Sequence, residues 1–240
     1  MDGLLLLDKP KGISSFFAAK KAAIYVGAKK FGYLGTLDPI ATGLLPLFFG
    51  KATKSIKFFE KSDKEYVATA ELGYATDTFD VTGSIVQKTG VVPKFNEIEK
   101  ALSRYQGRIK QKPPRYSALK FKGKRMYELA RRGIEFEVSE RVVEVKNIEI
   151  LDFDACGLLT IKIGCSAGTY IRSIINDLGN DLGCGATLAD LRRIKVGCFS
   201  IENAVTLDEL KNGGLNRVRL TPVVIPDDEQ GSGDRRDHKQ

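Results

Sequence analysis

Asp38 is the residue of this 240-residue chain best placed to do chemistry. It lies in GTLDPIATGLLP, from Gly35 to Pro46. Proline biases the residue before it away from helix, so Pro39 holds the carboxylate on a stiff loop. Gly35 and Gly43 allow tight backbone turns there, and Thr36 and Thr42 can bond locally to main chain. The apolar run Leu44, Leu45, Leu47, Phe48 and Phe49 is expected to anchor the loop in a core. A carboxylate presented in this way suits a nucleophile or a base, although an isolated Asp-Pro commonly marks only a turn. The single histidine, His238, lies in a polar tail, which removes serine and cysteine triads and leaves carboxylate, tyrosine, lysine or arginine chemistry.

Rival chemistries fail on spacing. Cysteines 156, 165, 184 and 198 form no CxxC pair, so a zinc site is not expected, and buried free thiols are the better reading. Gly50-Lys51 resembles the end of a phosphate-binding loop, but Leu45 stands where a glycine is needed and Ala52 where a hydroxyl would reach magnesium. Asp77 and Asp80 in TDTFDVTG lack calcium-loop spacing and are expected to shape a turn. No GxGxxG fingerprint occurs, so no nicotinamide or flavin is implied.

Other segments extend the pattern in order. DKPKGISS opens the chain from Asp8, KEYVATAELG runs from Lys64 to Gly73, and TDTFDVTG from Thr76 to Gly83. PPRYSALKFKGKRMYELARRG begins at Pro113, CSAGTYIRSIINDLGNDLG at Cys165 and LRRIKVGCF at Leu191. Together with the Asp38 segment, these resemble the motifs of the bacterial tRNA pseudouridine synthase B family, which isomerises the T-loop uridine of tRNA. The resemblance implies that Asp38 is catalytic, that Tyr66 stacks on the extracted uracil and assists removal of the C5 proton, and that Arg172 pairs with Asp38 and keeps it ionised. Tyr170 and Leu191 would line the base pocket, although Leu191 alone suits core packing equally. Asp38 would attack C1′ or C6 or abstract a sugar proton. Tyr33 stands where the family carries a histidine that holds the RNA around the flipped nucleotide; a tyrosine can stack there but cannot become a cation.

The formal net charge of +8 suggests a polyanionic partner. Between Arg108 and Arg125 lie eight lysines or arginines and no acid, with Tyr116 and Phe121 interleaved. Charges that track phosphates and rings that stack on bases therefore occur together. Proline at 113 and 114 argues for a loop leading into a short helix from Lys124 to Arg132, ended by Gly133. The resemblance makes this stretch, about 108–140, a basic thumb-like insertion that closes over RNA, with Lys120, Lys122 and Lys124 among its phosphate contacts.

These residues need a scaffold. Ser14 or Ser15 can cap a helix to about Val26 with Phe16, Ala19, Ala23 and Val26 on one face. A second helix covers about Asn96 to Tyr105. A third runs from Thr169 to about Leu182, with Ile171, Ile174, Ile175, Leu178 and Leu182 as a core stripe. Strands alternate at Tyr66, Ala68, Ala70 and Leu72 and at Leu159, Ile161, Ile163 and Cys165, with a β-branched run from Val142 to Ile150. Strands in runs favour an α+β fold, a large mixed or antiparallel sheet with flanking helices, over a doubly wound one. No linker divides the chain, so residues 1–225 read as one catalytic domain and 226–240 as a disordered polar tail, without the PUA domain most family members carry. Leu4 to Leu7 is too short for a membrane span or signal core, which points to a soluble, cytoplasmic protein. The expected partner is the T stem-loop of tRNA, bound by a monomer with no obligate protein partner and no cofactor. A guide-RNA-dependent synthase and a tRNA-folding chaperone with secondary or no catalysis remain the alternatives.

Overall fold

The computed structural model describes residues 2–213; the tail expected to be disordered lies outside the described residues. In chain order the elements are β1 (Gly3–Lys9), α1 (Ser15–Tyr25), β2 (Phe31–Tyr33), β3 (Thr42–Phe49), α2 (Ile56–Phe59), β4 (Lys64–Leu72), β5 (Tyr74–Thr76), β6 (Ile85–Lys88), α3 (Phe95–Leu102) and β7 (Gly107–Gln111). Then come β8 (Lys120–Phe121), β9 (Lys124–Arg125), α4 (Met126–Arg131), β10 (Arg141–Phe153), β11 (Leu158–Cys165), α5 (Ile171–Asp181), β12 (Ala186–Val196), β13 (Phe199–Ser200), β14 (Val205–Thr206) and α6 (Leu207–Gly213).

Among the described residues one mixed sheet carries ten strands in the order β14-β1-β3-β12-β4-β11-β10-β7, with β2 added to β3 and β13 to β12. Its pairings are antiparallel except β1 with β14 and β3 with β12. The α+β expectation therefore holds, and β5–β6 and β8–β9 form small separate hairpins. The β3–β12 pairing consists of two register pairs only, Thr42 with Arg192 and Gly43 with Arg193. Each strand is otherwise paired along most of its length, so the two halves of the sheet diverge there, and the Asp38 loop enters β3 at this seam.

Alternation along β4 buries Tyr66, Ala68, Ala70 and Leu72, and β11 buries Leu159, Ile161, Ile163 and Cys165, as period-two patterning requires. The α5 stripe Ile171, Ile174, Ile175 and Leu178 joins them in one core cluster. A second cluster packs α1 and α6 on β1 and β3. Helix α1 begins at the Ser14 cap, whose hydroxyl accepts from the Phe17 amide. Its buried face differs from expectation: Ala18, Ala19, Ala22 and Ala23 pack inward, letting the helix sit close to the sheet, while Phe16 is exposed. The cysteine expectation is half right. Cys165 and Cys184 are buried, but Cys156 and Cys198 sit exposed in the turns after β10 and β12, where no core reaches them.

The basic run is divided by the sheet. Arg108 and Lys110 stand on edge strand β7, so the excursion from the sheet spans 112–140. The helix expected from Lys124 begins only at Met126, because Phe121 to Lys124 close a hairpin whose central Lys122 and Gly123 both take positive φ, +47° and +84°. Asn-Gly announces that turn far more clearly than Lys-Gly. Gly133 at φ +67° ends α4 as expected.

Candidate active site

The Asp38 loop is fastened from three sides. The buried Ser15 hydroxyl donates to the Leu37 carbonyl at 2.9 Å and accepts from the Leu37 amide at 2.8 Å, fixing the residue before the carboxylate. The Gly12 amide donates to the Pro39 carbonyl at 2.8 Å. From β12, the fully buried Arg193 donates Nε to the Leu44 carbonyl and Nη2 to the Gly35 carbonyl, both at 2.8 Å. Both glycines of the loop are obligatory. A Cβ on Gly35, at φ +68°, would meet Arg193 Nη1 at 2.9 Å, and one on Gly43, at φ +98°, would lie 2.3 Å from the Arg193 carbonyl. Thr42 bonds across the seam to the Leu191 carbonyl rather than locally. The expected apolar anchor is present: Leu44, Leu45, Leu47, Phe48 and Phe49 are all completely buried.

Arg172, near the start of α5, meets this loop. Its Nη2 lies 2.9 Å from Asp38 Oδ2 and its Nη1 3.4 Å from Asp80 Oδ2. Nη1 and Nη2 also donate to the Thr78 and Tyr116 carbonyls, each at 3.0 Å. The arginine and Asp80 are buried, whereas the Asp38 side chain is 36% exposed to the cleft. Asp80 is more than the turn former its sequence suggests. Its Oδ1 accepts from the Thr78 and Thr82 hydroxyls and the Thr82 amide, so the TDTFDVTG loop aims the other oxygen at Arg172. Nothing in its local sequence shows that burial, which arises because the loop docks on Leu188 through backbone bonds from Val81 and to Phe79.

Desolvation pushes Asp38 above the usual carboxylate range; Arg172 pulls it down, Asp80 raises it, and Lys9 lowers it. Open water in the cleft moderates the desolvation, and the direction remains upward. Lys9, wholly buried, donates Nζ to the Pro10 and Ile13 carbonyls at 2.8 Å, and burial lowers it to about 8 against the pull of Asp38. Tyr66 faces Arg193 across the β4–β12 register, and burial raises its phenol, which therefore keeps its proton.

Two cavities meet at Asp38 and Arg172. The smaller, about 340 Å³, is lined by Tyr66, Tyr170, Leu191, Arg141 and Arg193. The larger, about 710 Å³, is lined by Tyr33, Phe16, Tyr116, Tyr127, Arg125 and Arg131. The structure thus brings Asp38, Tyr66, Arg172, Tyr170 and Leu191 together and puts Tyr33 on the opposite side of the carboxylate. Lys120, Lys122 and Lys124 line neither cavity; they are exposed on the β8–β9 hairpin and its turn. Tyr170 caps α5 and is gripped by the buried Gln111, which accepts from its amide at 2.8 Å and donates to its carbonyl at 2.9 Å. Lys9, Gln111, Arg141 and Arg193 escape sequence reasoning, although DKP and LRR place Lys9 and Arg193 in longer motifs, and Ser15 and Asp80 are legible only as a helix cap and a turn former. Among the described residues no group of His, Cys, Asp or Glu could hold a metal ion, and no helix is long and apolar enough to cross a membrane.

A carboxylate tethered to a buried arginine between two nucleotide-sized hollows, at the seam of a mixed sheet, is the architecture of the pseudouridylate synthases. Residues 22–171 match the model of the TruB family pseudouridylate synthase N-terminal domain, and residues 172–229 that of the tRNA pseudouridylate synthase B C-terminal domain. A tRNA pseudouridine synthase B of Dechloromonas aromatica is 48% identical over 93% of the chain and 75% of its own length. Relatives of the same name from Syntrophus aciditrophicus and Endomicrobium trichonymphae are 44% and 43% identical, over 94% and 93% of the chain and 72% and 97% of their own lengths. The chain belongs to the TruB family. Among solved structures, a Cbf5-Nop10-Gar1 complex superimposes with a TM-score of 0.68 at 31% identity, covering 86% of this chain and 53% of that one. An H/ACA RNP bound to a substrate RNA containing 2′-deoxyuridine gives 0.66 at 27% over 86% and 51%. This chain spans about half the length of the chains it matches in those structures.

Proposed function

We propose that this chain converts uridine to pseudouridine in the T loop of tRNA, at position 55. It acts as a cytoplasmic monomer with no obligate protein partner. The N1–C1′ bond breaks, the uracil turns in place, and C5 bonds to C1′ while the C5 proton leaves and N1 gains one. The exchange is an isomerisation, so it needs neither an oxidant nor an energy source. The target is flipped out of folded RNA at a cost of about a few kcal/mol, which pocket contacts offset. Asp38 attacks C1′ or C6 or withdraws a sugar proton. Arg172 fixes it and favours its ionised form. Tyr66, held neutral by burial, stacks on the base with Tyr170 and Leu191 around it. Tyr33 and the rings and arginines of the larger cavity hold neighbouring nucleotides.

The observation that carries this reading is the Asp38–Arg172 contact at 2.9 Å on the wall shared by both cavities. Release of tritium from C5-labelled uridine in T stem-loop RNA tests it. Wild type releases the label; Asp38→Asn binds the RNA with similar affinity and releases none. Release by the variant near the wild-type rate would overturn the role of Asp38, and wild-type protein that binds the RNA without release would leave the chaperone reading in its place.

A further inference from the structure

Arg141 is the first residue of β10 and stands opposite Gln111 in the β7–β10 register. Its guanidinium carbon lies 4.6 Å from the centre of the Tyr170 ring, a cation–π stack on the wall of the smaller cavity. Nε and Nη2, the two donors along one edge of the guanidinium, are buried and have no hydrogen-bond partner among the described residues. Buried donors are normally satisfied, and a lone unpaired edge on a charged group is costly. The other cations of this cavity are engaged. Arg172 holds Asp38 and Asp80 and leaves only Nε unpaired, Arg193 holds backbone carbonyls of the Asp38 loop, and Lys64 holds the Glu60 and Ser62 carbonyls.

We propose that Arg141 is the phosphate-binding residue of the smaller cavity, its Nε–Nη2 edge taking two oxygens of a phosphate that flanks the flipped nucleotide. The edge offers two parallel donors, which match a phosphate. They do not match uracil, whose two carbonyls are separated by the N3–H donor. A nucleotide entering the cavity brings its own phosphates, so base and anion arrive together. Rotation about the aliphatic torsions of the Arg141 side chain is what would bring the covered edge to a phosphate in the cavity. Gln111 holds the Tyr170 backbone, which fixes where the ring beneath the guanidinium is anchored. Arg141 is thus a binding residue, distinct from the groups that meet the reacting atoms.

This inference rests on the tRNA reading, and its test separates the two. T stem-loop RNAs are prepared with a neutral methylphosphonate at one or the other phosphate flanking the target uridine, and kcat and KM are measured by tritium release. For wild type, one substitution raises KM about tenfold. Arg141→Gln raises KM about tenfold on unmodified RNA with little change in kcat, and the methylphosphonate then adds nothing. Arg141→Lys keeps the charge and the stem against Tyr170, so it folds even where glutamine does not, and lacks the paired edge; its methylphosphonate penalty falls to about threefold. Penalties equal in wild type and in the variants would overturn the proposal and make Arg141 a prop for Tyr170. No release by wild type from unmodified RNA would instead overturn the tRNA reading.

Discussion

Asp38 is held between two opposed influences, and each can be removed separately. Desolvation and Asp80 raise its pKa, while Arg172 lowers it. A raised pKa means that the carboxylate protonates at higher pH than usual, so, with Asp38 in its proposed role, the acid limb of kcat/KM is expected above the ordinary carboxylate range. Asp80→Asn removes a neighbouring negative charge and leaves Arg172 to Asp38 alone. Its acid limb is expected to move to lower pH even though the rate falls with the loss of an orienting partner. Arg172→Gln has the opposite sign: Asp38 loses its counter-charge and the limb moves up. That variant also leaves Asp80 buried without a cation, a loss of about 3 to 5 kcal/mol of stability by analogy with broken buried pairs. Rate profiles of both variants against pH check the pair of shifts, and limbs that coincide with wild type would show that the profile reports another group.

At the scale of elements, the seam between β3 and β12 does what no single residue can. Two register pairs join the halves of the sheet, and Gly43 is one of those four residues. Gly43→Ala puts a Cβ against the Arg193 backbone in a left-handed conformation, so both strands must part. The expected loss is on the order of 3 kcal/mol, read from denaturant midpoints, with activity falling further as the Asp38 loop shifts. Gly12→Ala is the control: it also has positive φ, +87°, but its Cβ meets nothing within 4 Å, so backbone strain is its only cost. The β8–β9 hairpin is a different kind of element, carrying charge outward instead of packing. If Lys120, Lys122 and Lys124 each contact a phosphate, their joint replacement by alanine weakens tRNA binding. It also flattens the dependence of log K on log salt by roughly 0.7 to 0.9 per lost contact. Thermal stability should be unchanged because all three are exposed. A salt titration that superimposes on wild type would make the hairpin a solvated face.

At the scale of the whole molecule, the proposed scheme draws only on groups that the chain supplies. Arg172 and Lys9 bring positive charge to the carboxylate, and an isomerisation consumes no energy source. Activity on a short prefolded stem-loop is therefore expected to persist in EDTA without ATP. Strict metal dependence with that substrate, measured by tritium release, would refute the scheme. Features set by local order were legible along the chain. Pro39 and the two glycines marked the Asp38 loop, period-two alternation placed β4 and β11, and the 3.6-residue stripe placed α5, since each is a property of neighbours in sequence. Tertiary structure alone decided that Asp80 is a buried partner of Arg172, that Arg193 braces Gly35 from 158 residues away, and that Arg141 keeps an unpaired edge beside Tyr170. Those roles depend on burial and charge brought together across the sheet seam, and a linear pattern carries no record of which distant groups exclude water from one another.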